Sequence, residues 1–88
     1  MEHPDQCPLC ERAAKISDFA ERAAWHVNCP ECSKYIITYE LCSILAHNPE
    51  AANLRGGISA SVRRHYTEHG EPFIVTEGNF PAVANWKD

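Results

Sequence analysis

The sequence predicts an α+β domain in which a small antiparallel sheet precedes two helices and an extended apolar tail. Two pairs of cysteines bracket short segments rich in β-branched and aromatic residues, which are typical of strands. Beyond residue 39 the apolar residues recur with a helical period. A chain of 88 residues forms one small domain that buries only about 60% of its unfolded surface, so an additional stabilising element is expected.

The composition excludes several classes of protein. Hydrophobic residues make up 44% and charged residues 23%, which excludes collagen-like and wholly disordered chains. The first residues lack the basic and apolar regions of a signal peptide, and no stretch is apolar enough to span a bilayer. We therefore expect a cytoplasmic protein with no membrane partner. The net charge of -4 argues against strong binding to phosphate backbones through charge alone.

The cysteines carry the clearest chemical signal. Cys7 and Cys10 form one Cys-Pro-x-Cys turn, the first knuckle, and Cys29 and Cys32 form the second knuckle, 18 residues later. Two residues between cysteines let one turn direct both sulfurs at one ion, and the whole spacing is typical of a four-thiolate zinc site. Disulfides would need an oxidising compartment. We predict one structural Zn²⁺, with iron in a rubredoxin-like site as the alternative.

Other residues with reactive side chains carry weaker signals. Cys42 lies in a predicted helix and is expected to be a small buried hydrophobic residue. His65 and His69 share a helix face but lack a third ligand, so we expect surface or capping histidines. No base, nucleophile and oxyanion donor form one constellation, so we expect neither an enzyme nor a small-molecule substrate.

The sheet is predicted from three short segments. They span residues 14–18, 23–27 and 35–38, with a turn at 19–22. We expect Trp25 to belong to the core rather than to an exposed recognition surface. Structural zinc contributes about 10 to 16 kcal/mol in isolated fingers, more than burial in so small a sheet, so the metal is expected to supply much of the stability.

Two helices are predicted after the sheet. Thr38 is a candidate N-cap for a helix over residues 39–46, which Asn48-Pro49 ends. The second helix is predicted over residues 49–69. Its apolar stripe recurs every four residues at Leu54, Ile58, Val62 and Tyr66.

Glycines mark two points of the second helix. Gly56 and Gly57 each weaken it by about 1 kcal/mol relative to alanine. Three interpretations are open, namely a break, a close approach to the sheet or the true start of the longer helix, and we favour the close approach. Gly70 is expected to end it. The tail begins as an extended run at residues 73–80 and closes with about one helical turn at 81–86. Its apolar residues are expected to cover the long helix or a partner: Phe73, Val75, Phe80 and Trp86.

Charge is distributed unevenly along the chain. Residues 1–53 carry four basic and eight acidic side chains, a net charge of -4, whereas residues 54–69 carry three arginines against Glu68. The candidate contacts for nucleic acid or a partner are Arg55, Arg63, Arg64 and Tyr66. The acidic first half suggests a further hypothesis, an inhibitor that imitates nucleic acid. Its candidate residues are Glu11, Asp18, Glu21 and Glu31.

The first 39 residues resemble the zinc-ribbon class, in which two Cys-Pro-x-Cys knuckles on short hairpins hold one zinc. In that class a glycine often follows the second cysteine of each knuckle, but here those positions hold Glu11 and Ser33, which implies strain or a different turn. Residues 40–88 would form a helical extension packed on the ribbon. The stretch 54–64 with Gly70-Glu-Pro resembles a ribbon-plus-helix module of uncharacterised bacterial proteins.

The resemblance implies a recruiting or sensing module and brings no catalytic residue. The leading hypothesis is therefore a non-catalytic zinc-binding adaptor or regulatory module with a protein partner. Nucleic-acid binding through Arg55, Arg63, Arg64, Lys34 and an exposed Tyr35 or Tyr66 is the alternative.

Overall fold

A four-stranded mixed sheet, with helices on one of its faces, organises the computed structural model, which describes residues 5–85. The strands are β1 (Lys15–Phe19), β2 (Ala24–Cys29), β3 (Ser33–Thr38) and β4 (Phe73–Val75). The helices are α1 (Tyr39–His47), α2 (Pro49–Ala52), α3 (Arg55–His69) and α4 (Phe80–Ala84). The α+β class is as predicted, but the sheet has four strands rather than three.

The first three strands follow the predicted order. β2 pairs antiparallel with β1 on one side and with β3 on the other. Each strand overlaps its predicted range but is shifted or extended by one or two residues. Ala20–Arg22, inside the predicted turn, forms a short 3-10 helix.

β4 corrects the prediction of an extended tail. It pairs parallel with β3, so that Phe73 lies beside Tyr35 and Val75 beside Ile37. The intervening helices return the chain to the free edge of β3. There the short apolar run of β4 pairs with β3, and the pairing satisfies the backbone hydrogen-bonding groups of both strands. Val75 is fully buried as a result. The tail then ends in α4 within the described residues.

The core lies between one face of the sheet and the helices. Alternate residues of the strands point into it, among them Trp25, which is 7% exposed, as predicted. Leu41 and Leu45 of α1 and Ile58 and Val62 of α3 cover these side chains. Phe73 and Phe80 are partly buried against the same core, whereas Trp86 lies outside the described residues. Within residues 5–85, no helix has the length and apolar character that crossing a membrane requires.

Side-chain and glycine caps set the helix ends. The Thr38 hydroxyl accepts a hydrogen bond from Leu41 N at 3.2 Å, which confirms the predicted N-cap of α1. Gly70 ends α3 with φ of 71° and donates its N–H to Tyr66 O at 2.8 Å.

The helix predicted over residues 49–69 is wrong as a single helix. The helix is interrupted between Ala52 and Arg55, where Leu54 N donates a hydrogen bond to Ala51 O in a tight turn. The Asn48 side chain caps α2 by accepting hydrogen bonds from Glu50 N and Ala51 N. α2 ends after one turn, and α3 begins at Arg55.

Gly57 permits a close approach, but to α4 rather than to the sheet. A Cβ atom at this position would lie 2.3 Å from Ala84 O, whereas a Cβ at Gly56 would meet nothing within 4 Å. Nearby, the buried Ser61 hydroxyl donates to Val83 O at 2.6 Å. Because glycine has no side chain, α4 can approach α3 closely at Gly57, and the Ser61 hydrogen bond joins the two helices.

We predict that Gly57→Ala lowers the free energy of unfolding by about 1 to 3 kcal/mol, because α4 must move away from the new methyl group. Gly56→Ala is the matched control. It gains helix propensity without a clash, so it should raise stability by up to about 1 kcal/mol. Urea unfolding of both variants at one fixed metal concentration checks the pair. Equal stability of the two variants would contradict the close packing of α4.

Candidate metal centre

The two knuckles lie side by side at one end of the sheet. The first precedes β1 and is closed by hydrogen bonds from Glu11 N to Cys7 O and from Cys7 N to Arg12 O, both 2.8 Å. The second connects β2 to β3, with Cys29 as the last residue of β2 opposite Ser33. The pairing of β1 with β2 brings the first knuckle next to the second.

The four predicted cysteines converge on one point. The Sγ atoms of Cys7, Cys10, Cys29 and Cys32 all lie within 4.8 Å of one another. Cys7 Sγ is 3.8 Å from Cys32 Sγ, and Cys10 Sγ is 3.4 Å from Cys29 Sγ. A tetrahedral ion with metal–sulfur bonds of about 2.3 Å places its sulfurs about 3.8 Å apart. The cluster therefore fits a metal ion.

The same distances rule out disulfides in this structure. A disulfide has an S–S distance of about 2.05 Å, and all five cysteines are free thiols here. Cys7, Cys29 and Cys32 are buried, and Cys10 is half-buried. Four sulfurs from the chain surround the central point, so a bound ion would have a full set of protein ligands.

Electrostatics within the cluster favour a negative charge on one sulfur. The pKa of Cys7 is lowered to about 5, chiefly by a hydrogen bond with Cys32; burial opposes this shift, and a hydrogen bond with Tyr35 adds to it. The pKa of Cys32 is raised, first by its hydrogen bond to Cys7 and then by burial. A buried sulfur that carries negative charge is a site that a cation would stabilise.

Two hydroxyl groups that sequence reasoning did not place in the site contact these sulfurs. Tyr35 Oη lies 2.9 Å from Cys7 Sγ, and Ser59 Oγ lies 2.9 Å from Cys32 Sγ. Tyr35 comes from β3, just after the second knuckle, but it contacts Cys7, which is 28 residues away in sequence. Ser59 comes from α3 and is 27 residues from Cys32. No local pattern marks either contact, because the pairing of the strands brings Tyr35 to the first knuckle and the packing of α3 brings Ser59 to the second.

The residue after each knuckle adopts a left-handed conformation. Glu11 has φ of 64° and Ser33 has φ of 67°. These are the positions where the zinc-ribbon resemblance favours glycine. Both residues take the positive φ that glycine adopts freely, at a cost of about 1 to 2 kcal/mol each.

The predicted contact residues differ in exposure and in their partners. The prediction that Tyr35 could be an exposed contact is wrong, because this side chain is fully buried. Arg55 is engaged inside the chain: its Nη1 donates to Glu11 Oε1 at 2.6 Å and its Nη2 to Leu45 O at 2.9 Å. Arg63 is exposed, and Arg64 and Tyr66 are half-buried. Arg63 lies eight residues beyond Arg55, about 12 Å along α3. Lys34 Nζ, 5.9 Å from the centre of the Tyr66 ring, adds a positive charge near Tyr66.

Three of the four acidic residues proposed to imitate nucleic acid have partners within the chain. Glu11 binds Arg55, Glu31 lies 3.9 Å from Arg12, and Asp18 accepts a hydrogen bond from the Tyr39 hydroxyl. Glu21 is exposed on the 3-10 helix between β1 and β2.

The remaining candidate residues lie outside the cluster. Cys42 is half-buried in α1, and burial raises its pKa to about 11, so it is a neutral thiol at pH 7. The rings of His65 and His69 are 4.6 Å apart, and His65 also packs edge-on against Phe73. Among the described residues, neither histidine belongs to a group of three or more candidate metal ligands.

Comparison of the chain with known protein families, with curated proteins and with solved structures finds no match. The support for a metal centre is therefore the spacing of the four cysteines and their convergence in space.

We predict that serine in place of any one of Cys7, Cys10, Cys29 or Cys32 greatly weakens metal retention, because a hydroxyl is a poor substitute for a thiolate ligand. Cys42→Ser is the matched control and should retain metal fully. Elemental analysis of each protein after identical purification and dialysis gives the metal-to-protein ratio. Equal loss in the Cys42→Ser protein would mean that the ligand set is wrong.

Proposed function

We propose that this chain is a non-catalytic zinc-binding module that contacts a protein partner. The observation that carries the proposal is the closed cluster of four cysteine sulfurs, which leaves a bound ion no open position for water or substrate. In this role Zn²⁺ holds the two knuckles together in a zinc-ribbon arrangement and stabilises a small fold.

Zinc is favoured over iron because a structural site needs no redox chemistry. Zn²⁺ has a filled d shell that imposes no coordination geometry, so it readily accepts four thiolates in a tetrahedron. Iron takes the same ligands, and nothing else in the described residues suggests electron transfer. Cysteines without disulfides are typical of reducing compartments, so we propose a cytoplasmic location.

A catalytic role has little support. The only cysteine outside the cluster, Cys42, has a raised pKa and is therefore a poor nucleophile at neutral pH. Tyr35, the tyrosine closest to the cluster, is fully buried, and its pKa is raised, chiefly by burial. Neither side chain offers a proton-transfer group or a nucleophile to a substrate.

Nucleic-acid binding remains the second proposal, supported by exposed Arg63 and by Lys34 beside Tyr66. Fewer cationic side chains are available for nucleic acid than the sequence predicts, because Arg55 is hydrogen-bonded to Glu11 and Leu45. A few phosphate contacts on a chain of net charge -4 give weak binding that salt removes. The protein-partner proposal therefore leads.

We predict that labelled single-stranded and double-stranded DNA and RNA show at most weak binding that disappears at physiological salt, because so few cations are available. The metal-loaded protein is titrated at two salt concentrations and compared with the double variant Arg63→Ala plus Arg64→Ala.

In parallel, a specific protein partner should co-elute with the metal-loaded chain during size-exclusion chromatography.

Tight nucleic-acid binding that the double substitution abolishes, without a co-eluting protein, would replace the leading proposal with the second. A chain that binds no metal would contradict both proposals.

A further inference from the structure

Two hydroxyl groups contact the cysteine cluster from outside the knuckles, one at each knuckle. Tyr35 Oη is 2.9 Å from Cys7 Sγ of the first knuckle, and Tyr35 is fully buried. Ser59 Oγ is 2.9 Å from Cys32 Sγ of the second knuckle. These contacts are within the length of a hydrogen bond to sulfur, and each involves a hydroxyl with one proton to donate.

Metal binding determines the direction of both hydrogen bonds. A cysteine that binds a metal ion is a thiolate without a proton, so in the loaded centre each sulfur accepts and each hydroxyl donates. Four thiolates around one Zn²⁺ carry a net charge of -2 in a largely buried place. Two donated hydrogen bonds therefore spread part of that charge and fix the sulfurs in position.

α3 contacts both knuckles through one face. Arg55 and Ser59 are four residues apart and share a side of the helix. Arg55 binds Glu11, which directly follows Cys10, while Ser59 reaches Cys32. Ile58 and Val62, both fully buried, hold the helix against the sheet. Movement of the second knuckle would therefore break a contact with α3.

We propose that Tyr35 and Ser59 are positioning residues of the metal centre, and that through Ser59 the order of α3 depends on the bound metal. This inference rests on the proposed zinc function. In addition, the order of the helical half of the chain depends on whether the site holds a metal ion. Removal of metal would loosen α3 together with the knuckles.

The test compares Tyr35→Phe and Ser59→Ala with Ser61→Ala in the full chain. Ser61 lies on the same helix and also loses a hydrogen bond, but its partner is Val83 O rather than a sulfur. Zinc affinity is measured by competition with a chelator, and Co²⁺ serves as a spectroscopic probe of the sulfurs. Loss of a group that orients a metal ligand typically weakens metal affinity about 10- to 100-fold.

We expect zinc affinity to fall by this factor in Tyr35→Phe and in Ser59→Ala. The sulfur-to-cobalt charge-transfer band should shift in both variants. Ser61→Ala should leave the band unmoved, and Ser59→Thr, which keeps the hydroxyl, should restore it. Amide hydrogen exchange should show α3 losing protection when a chelator removes the metal.

The inference is overturned if both hydroxyl variants keep wild-type affinity and band position. It is also overturned if α3 keeps its protection without metal. In either case a wild-type chain that binds one zinc leaves the proposed function intact, whereas a wild-type chain that binds none contradicts the proposed function itself.

Discussion

The convergence of four sulfur atoms is the constraint on which the rest of the structure depends. The first knuckle precedes the sheet and the second lies inside a hairpin, so β1 must pair beside β2 for the sulfurs to meet. Several buried thiolates would repel one another without a cation between them. Zn²⁺ would remove that repulsion and at the same time join two turns that the short sheet alone holds weakly.

The knuckle backbones show what the convergence costs. Glu11 and Ser33 both occupy the left-handed region, where side chains are disfavoured by about 1 to 2 kcal/mol. Structural zinc contributes about 10 to 16 kcal/mol in isolated fingers, several times that cost. The turns can therefore keep a conformation that directs both sulfurs inward without a glycine at either position. Glu11 then gains a second use as the partner of Arg55.

Local chemistry made much of this structure predictable. The spacing of the cysteines predicts their cluster, β-branched residues predict the first three strands, and Thr38 and Gly70 mark helix ends. The rest depends on contacts distant in sequence. A short apolar run such as Phe73–Val75 does not reveal which strand it will join. Gly57 signals a close approach but not its partner, α4.

The candidate site shows the same division between local and distant information. Its four ligands follow from spacing, whereas Tyr35 meets Cys7 across 28 residues of sequence and Ser59 meets Cys32 across 27. Arg55 looked available for nucleic acid because sequence shows its charge but not its hydrogen bonds to Glu11 and Leu45. Charge in a sequence therefore overestimates the charge that a surface can offer.

Metal titration of the reduced, metal-free chain tests the central claim most directly. Zn²⁺ is added stepwise while nuclear magnetic resonance follows the amides of the knuckles and of the sheet. The account predicts that the native spectrum appears in full at one equivalent of zinc and changes no further. Knuckles and a sheet that are already folded without metal, or that fold only after the cysteines oxidise to disulfides, would contradict it.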